Sequence, residues 1–152
     1  MGKAMARNLL KKGFSVIAHS RSQGPVNELV KDGATAAGSP AEVARSATFI
    51  ITMLPDGPDV EKVLEGDNGV FAAMGKGTVI VDSSTIAPAI ARRLAARAKE
   101  LGSALLDAPV SGGEIGAIDG TLTFMVGGDA AALETVRAVS YTHLTLPTIL
   151  RV

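Results

Sequence analysis

The sequence predicts an α/β domain built on a parallel, doubly wound sheet. Short β-rich runs alternate with amphipathic helical runs along most of the chain, and glycines such as Gly13 and Gly33 close the helices. Several of the β-rich runs, Thr48 to Leu54 and Thr78 to Val81 among them, are apolar at successive rather than alternate positions. A strand that is apolar on both faces must be covered on both, the condition of a parallel strand with helices above and below.

Taken in order, Gly2 to Lys12 reads as a helix with Met5, Leu9 and Leu10 on one face and Lys3, Arg7, Lys11 and Lys12 on the other, stopped at Gly13. Phe14 to His19 is a strand, Ser20 to Gly24 a turn, and Val26, Leu29 and Val30 mark a second helix that ends near Gly33. Ser39-Pro40-Ala41-Glu42 combines an N-cap serine, a proline at the first helical position and an acid in the first turn, so a short helix precedes the strand Thr48 to Leu54. The plan repeats with a helix from Pro58 to Leu64, the strand Thr78 to Val81, a long helix from Pro88 to Leu101 and the strand Ser103 to Leu106. After a glycine-rich stretch, Leu122 to Val126 is a strand and Ala130 to Ala138 starts a helix. Gly2 to Ala138 contains no internal repeat or linker, so one domain is expected there.

Composition narrows the function. Apolar residues are 47% of the chain and charged residues 20%, and fifteen basic side chains offset fifteen acidic ones, so no broad field favours nucleic acid or an anionic membrane surface. There is no cysteine and the only histidines are His19 and His143, which argues against disulfides and against a metal site. The most apolar stretch, Ala47 to Leu54, falls far short of the roughly 20 residues that span a bilayer, and a cytoplasmic setting is expected.

The opening Met1-Gly2-Lys3-Ala4-Met5-Ala6-Arg7-Asn8-Leu9 and the run from Asp107 to Gly128, Asp-Ala-Pro-Val-Ser-Gly-Gly-Glu-Ile-Gly-Ala-Ile-Asp-Gly-Thr-Leu-Thr-Phe-Met-Val-Gly-Gly, resemble the 3-hydroxyisobutyrate dehydrogenase family, 3-hydroxyacid dehydrogenases related to 6-phosphogluconate dehydrogenase. In that family the first motif is Gly-x-Gly-x-Met-Gly-x-x-Met-Ala-x-Asn-Leu, of which only the part from Met-Gly onward is present. The resemblance implies a Rossmann-type sheet that is incomplete, lacking its first, central strand and the leading glycines of the phosphate turn, and lacking a helical C-terminal domain. From Val139 the text departs from the family, and Val-Ser-Tyr-Thr-His-Leu-Thr-Leu-Pro-Thr matches a translated transposase-type sequencing adaptor. The expected organisation is therefore a nucleotide-binding domain fragment over 1–138 and non-native read-through over 139–152, with no function for Tyr141 or His143.

Candidate site residues follow from the turns at the strands' carboxyl ends, where ligands of doubly wound sheets sit. Gly2 is consistent with the third glycine of the dinucleotide fingerprint, at a helix N-terminus that faces phosphate. The turn Ser20-Arg21-Ser22 has hydroxyls and a guanidinium where a carboxylate would read the ribose of NAD, which favours NADP as cofactor, with NAD possible. By resemblance Met53-Leu54-Pro55 lies under the adenosine and ribose, Asp59 makes a nearby polar contact, and Thr85 faces the nicotinamide side. Read as local sequence, these are equally a strand-ending turn and an ordinary N-cap. Read as local sequence, Ser111-Gly112-Gly113 is more often a flexible turn than an anion site; by resemblance it is the substrate site, where Ser111 offers a hydroxyl and Gly112 and Gly113 let successive N–H groups converge on a carboxylate.

The resemblance implies an oxidoreductase that moves a hydride between NAD(P) and a small 3-hydroxyacid or semialdehyde, such as 3-hydroxyisobutyrate or tartronate, succinic or glyoxylic semialdehyde. It also implies a homo-oligomeric full-length protein. The family's general acid–base is a lysine on the long helix after this domain, with an asparagine one turn later. Neither is present, so no catalytic residue is assigned here and the fragment is expected to be inactive alone. The alternatives are a 6-phosphogluconate dehydrogenase relative and a non-catalytic dinucleotide-fold binding module. A serine hydrolase is disfavoured because the chain has no Gly-x-Ser-x-Gly elbow.

Overall fold

The computed structural model describes residues 1–141; the adaptor-like text beyond Tyr141 lies outside the described residues. Its elements run α1 (Gly2–Lys11), β1 (Ile17–Ala18), α2 (Gln23–Lys31), β2 (Thr35–Ala36), α3 (Pro40–Ser46), β3 (Phe49–Thr52), α4 (Gly57–Glu65), a 3-10 turn (Val70–Ala72), β4 (Val79–Asp82), α5 (Pro88–Glu100), β5 (Ala104–Asp107), β6 (Val110–Ser111), α6 (Gly113–Asp119), β7 (Thr123–Phe124) and α7 (Ala130–Tyr141). No helix among the described residues is long and apolar enough to cross a membrane.

Strands β3, β4 and β5 form a parallel sheet in that order, with Thr52 opposite Asp82 and Asp82 opposite Asp107 at its carboxyl edge. All four residues of β4 are buried: Val79 to Val81, as that apolar run requires, and the terminal Asp82. Val79 and Val81 enter a core on one face with Met5 of α1, Ala117 of α6 and Val136 of α7. Ile80 enters a second core on the opposite face with Leu64 of α4 and Leu94 of α5. Helices thus cover both faces, and the fully buried Leu64, Ile80, Leu94 and Leu106 each contribute about 1.5–3 kcal/mol of burial.

The strands of the described residues fall into three separate sheets. Strands β1 and β2 form a separate parallel pair, not hydrogen-bonded to β3. Helix α1 straddles the two pieces, placing Met5 and Ala4 with the β3–β5 core and Ala6 and Leu10 with the small core of Ala18, Val26, Leu29 and Ala34. No strand stands between β1 and β3 among the described residues, the arrangement expected of a doubly wound sheet without its central strand. The run Leu122 to Val126 does not extend the parallel sheet either: β7 pairs antiparallel with β6, and Gly127 bridges Asp107 antiparallel.

Local signals place the remaining helices. Ser39 accepts a hydrogen bond from the Glu42 N–H at 3.1 Å, and the Glu42 carboxylate accepts one from the Gly38 N–H at 2.7 Å. Asp56 caps α4 by accepting from the Asp59 N–H at 3.0 Å. The short strand β2 and the helix α6 were not expected from sequence, because their apolar content is low and α6 sits in glycine-rich text.

Candidate functional site

The turns that follow β1, β3 and β4 meet at one edge of the molecule. Gly2 opens α1 directly against Met53: a Cβ built on Gly2 would lie 3.6 Å from Met53 Cβ, an ordinary contact, so space alone does not require glycine. The N-terminus of α1 has no side-chain cap and no acid in its first turn, whereas α3 and α4 are capped by Ser39 and Asp56. The first-turn N–H groups of α1 are thus without a side-chain acceptor, as are those of α2, α5 and α6. In the turn after β1, Ser20 Oγ accepts from the Ser22 N–H at 3.3 Å, and Arg21, 82% exposed, reaches Asp59 of α4 at 3.7 Å. That contact spans the turns following β1 and β3, so their carboxyl ends lie at the same edge. An exposed pair of this length contributes little stability.

Under this edge lies a polar row that was not singled out from sequence. Thr52, Asp82 and Asp107 are the last residues of three adjacent strands, on the face shared with α4 and α5. Asp82 is fully buried, and its Oδ1 accepts from Thr52 Oγ1 at 2.8 Å and from the Ser84 N–H at 3.1 Å. Ser84 Oγ in turn accepts from the Leu54 N–H at 2.9 Å. Asp82 Oδ2 and Ser83 Oγ have no hydrogen-bond partner among the described residues. Burial, and secondarily the neighbouring Asp82 charge, pushes the Asp107 carboxyl above its ordinary range. A partial sequence signal exists, since Asp82 and Asp107 each close an apolar run, whereas Thr52 is followed by Met53 and Leu54. Thr85 follows this network and is exposed.

The Ser-Gly-Gly segment leaves β5 through β6. Ser111, Gly112 and Gly113 are exposed, and both glycines hold positive φ, +131° and +62°. A Cβ on Gly112 would meet Leu122 Cδ2 at 3.2 Å, tighter than most real contacts, while one on Gly113 would meet nothing within 4 Å. Asn8 of α1 donates from its side-chain amide to Ala117 O at 2.7 Å, tying the C-terminal half of α6 to the helix that begins at Gly2. Asn8 was not among the residues expected at the site, although it stands in the opening motif. On the outer side of α1, Lys3 and Arg7 pair with Glu28 and Arg7 with Asp32, fixing α1 to α2. A hydrogen bond from Lys3 holds the Glu28 carboxyl below its usual range.

The family described as the NAD binding domain of 6-phosphogluconate dehydrogenase matches residues 1–141. This chain belongs to that family. Among curated proteins it is 49% identical over 137 residues to an NAD-dependent L-serine dehydrogenase of Pseudomonas aeruginosa, covering 90% of this chain and 46% of that protein. It is 47% identical over 138 residues to 2-hydroxy-3-oxopropionate reductase of Escherichia coli, covering 90% of this chain and 47% of the relative. A solved 3-hydroxyisobutyrate dehydrogenase of Mycobacterium tuberculosis, with L-serine, superposes with a TM-score of 0.88 at 37% identity, over 95% of this chain and 48% of that one. The chain thus spans about half the length of the relatives it matches.

The residues present fit the dinucleotide that membership implies. The uncapped start of α1 suits a pyrophosphate, and the hydroxyl and guanidinium groups after β1 suit a ribose. The three relatives just described are named as dehydrogenases or a reductase, and other solved structures of the same fold are named imine reductases, such as that of Streptomyces aurantiacus, with a TM-score of 0.85 at 29% identity over 99% of this chain and 51% of that one.

Proposed function

We propose that this chain forms the dinucleotide-binding half of an oxidoreductase acting on a small 3-hydroxyacid, and that it also supplies the turn that anchors the acid's carboxylate. The observation that carries the proposal is the packing of α6, which begins at Gly113, on α1 through the Asn8–Ala117 hydrogen bond, with Gly2 at the start of α1 lying against Met53. In this reading Gly2 and the first turn of α1 receive the pyrophosphate, Met53, Leu54 and Pro55 form the floor under the adenosine and ribose, and Asp59 lines the same edge. Ser20, Arg21 and Ser22 bind the ribose hydroxyls and the additional phosphate of NADP, the preferred cofactor over NAD. Thr85 faces the nicotinamide side. When bound, the nicotinamide supplies the hydride-transferring carbon.

Ser111 donates its hydroxyl, and Gly112 and Gly113 their N–H groups, to the substrate carboxylate. No residue of this half is assigned proton transfer; the general acid–base belongs to the remainder of the longer protein, and this chain alone does not turn over. The relatives' substrates favour a 3-hydroxyacid or semialdehyde of three or four carbons. Residues 1–138 form the native domain and 139–152 are read as non-native. The complete protein is read as a homo-oligomer on the family resemblance and as cytoplasmic by default, and the balanced charge of this chain offers no broad field for nucleic acid or an anionic membrane surface.

Titration of this chain with NADPH and NADH, followed by nucleotide fluorescence, tests the first half of the proposal. Tighter binding of NADPH, lost in Arg21→Ala, is expected. Equal affinity for both in the unsubstituted chain removes Arg21 as a phosphate reader, and no binding of either removes the dinucleotide assignment.

A further inference from the structure

We propose that Asp82 is a positioning residue which holds the 53–55 loop and the 83–85 turn together as one shelf for the dinucleotide. This rests on the dinucleotide reading above but concerns residues that contact no ligand themselves. The bonds form a short chain from one loop to the other. Thr52 Oγ1 at the end of β3 and the Ser84 N–H after β4 both donate to Asp82 Oδ1, and Ser84 Oγ accepts from the Leu54 N–H. The backbone adds two further ties, from the Ser83 N–H to Thr52 O at 2.8 Å and from the Ala108 N–H to Asp82 O at 2.7 Å. Displacing either loop therefore strains the same carboxylate.

A packing role alone explains Asp82 poorly. Taking a carboxylate wholly out of water is costly, and a buried carboxylate in a core is ordinarily neutralised by a cation. No salt bridge to Asp82 occurs among the described residues; its neighbour in the sheet is another acid, Asp107, and its Oδ2 has no partner there. An apolar residue of similar size would serve the core without that cost. What an apolar residue cannot do is accept two hydrogen bonds at one oxygen and so set Ser84, whose hydroxyl then fixes the Leu54 amide. Thr85, the exposed residue assigned to the nicotinamide side, follows directly, as Met53 precedes Leu54 on the other loop. The carboxylate acts through these residues.

Amide hydrogen exchange on the whole chain, read at Leu54 and Ser84 with and without saturating NADPH, tests the proposal. Asp82→Ala should speed exchange at both amides at least tenfold and weaken NADPH at least tenfold, with the amides of α2 unchanged. Asp82→Asn keeps an acceptor oxygen and should restore both to within threefold of the parent. Ser84→Ala should release the Leu54 amide while leaving the core intact, and serves if Asp82→Ala does not fold. NADPH protection of both loops in the parent, with binding and exchange unaltered in Asp82→Ala or Ser84→Ala, overturns the proposal alone. Absence of NADPH protection in the parent overturns the dinucleotide reading, and the assigned purpose of the shelf with it.

Discussion

Gly112→Ala and Gly113→Ala separate two roles that the Ser-Gly-Gly turn combines. At Gly113 the backbone is left-handed, with φ +62°, and an added Cβ meets nothing within 4 Å. An alanine there costs about 1–2 kcal/mol of conformational strain, offset by about 0.4–1 kcal/mol of reduced unfolded-state entropy, for a net loss of roughly 1 kcal/mol or less. At Gly112 φ is +131°, outside the left-handed well, and the Cβ approaches Leu122 Cδ2 to 3.2 Å. Strain of about 1–3 kcal/mol and overpacking of about 1–3 kcal/mol add there, less the same entropy term, so a net loss of about 1–6 kcal/mol, centred near 3, is expected. At that centre, a domain of this size loses about 6–12 °C in Tm. Thermal unfolding followed by circular dichroism should show the Gly112 variant melting well below the Gly113 variant. Equal melting temperatures would refute the turn geometry on which the carboxylate assignment depends.

Other substitutions follow the same logic. Leu106→Ala, at a fully buried position of the core shared by α1, β4 and α7, should cost about 2–5 kcal/mol in denaturant melts. Ser39→Ala removes the acceptor for the Glu42 N–H and should cost about 1 kcal/mol by the same measurement. Asp107 has a raised folded-state pKa, so the folded chain binds its proton more tightly than the unfolded one, and this group's contribution to stability falls as pH rises above 3.8 through the raised value. Asp107→Asn should therefore gain stability relative to the parent at neutral pH and lose that advantage in acid, as judged by melts at a series of pH values. Asp59→Asn removes the anion facing Arg21 and should raise the ratio of NADPH to NADH affinity, measured by fluorescence titration with both nucleotides.

Most of the layering was legible because it is written in local patterns. The unbroken apolar run at Val79 to Val81 could only be a strand buried on both faces, and Ser39-Pro40 could hardly be anything but a helix start. What escaped was non-local. Strand β2 has only Thr35 and Ala36, both exposed, and exists because their backbone pairs with Ile17 and Ala18. Helix α6 lies in glycine-rich text and is held by Ala117 in the core and by the Asn8 amide, 109 residues away in sequence. The same limit applies to the site: the exposed residues of the turns could be named one by one, but the row of Thr52, Asp82 and Asp107 becomes visible only when three strands are in register.

A crystal structure of the uninterrupted parent protein with NADP+ and 3-hydroxyisobutyrate tests the central claim most directly. The account predicts the acid's carboxylate within hydrogen-bond distance of Ser111 Oγ and of the Gly112 and Gly113 N–H groups, and the pyrophosphate on the first turn of α1. An acid bound away from residues 111–113, or a dinucleotide away from the edge formed after β1, β3 and β4, would contradict it.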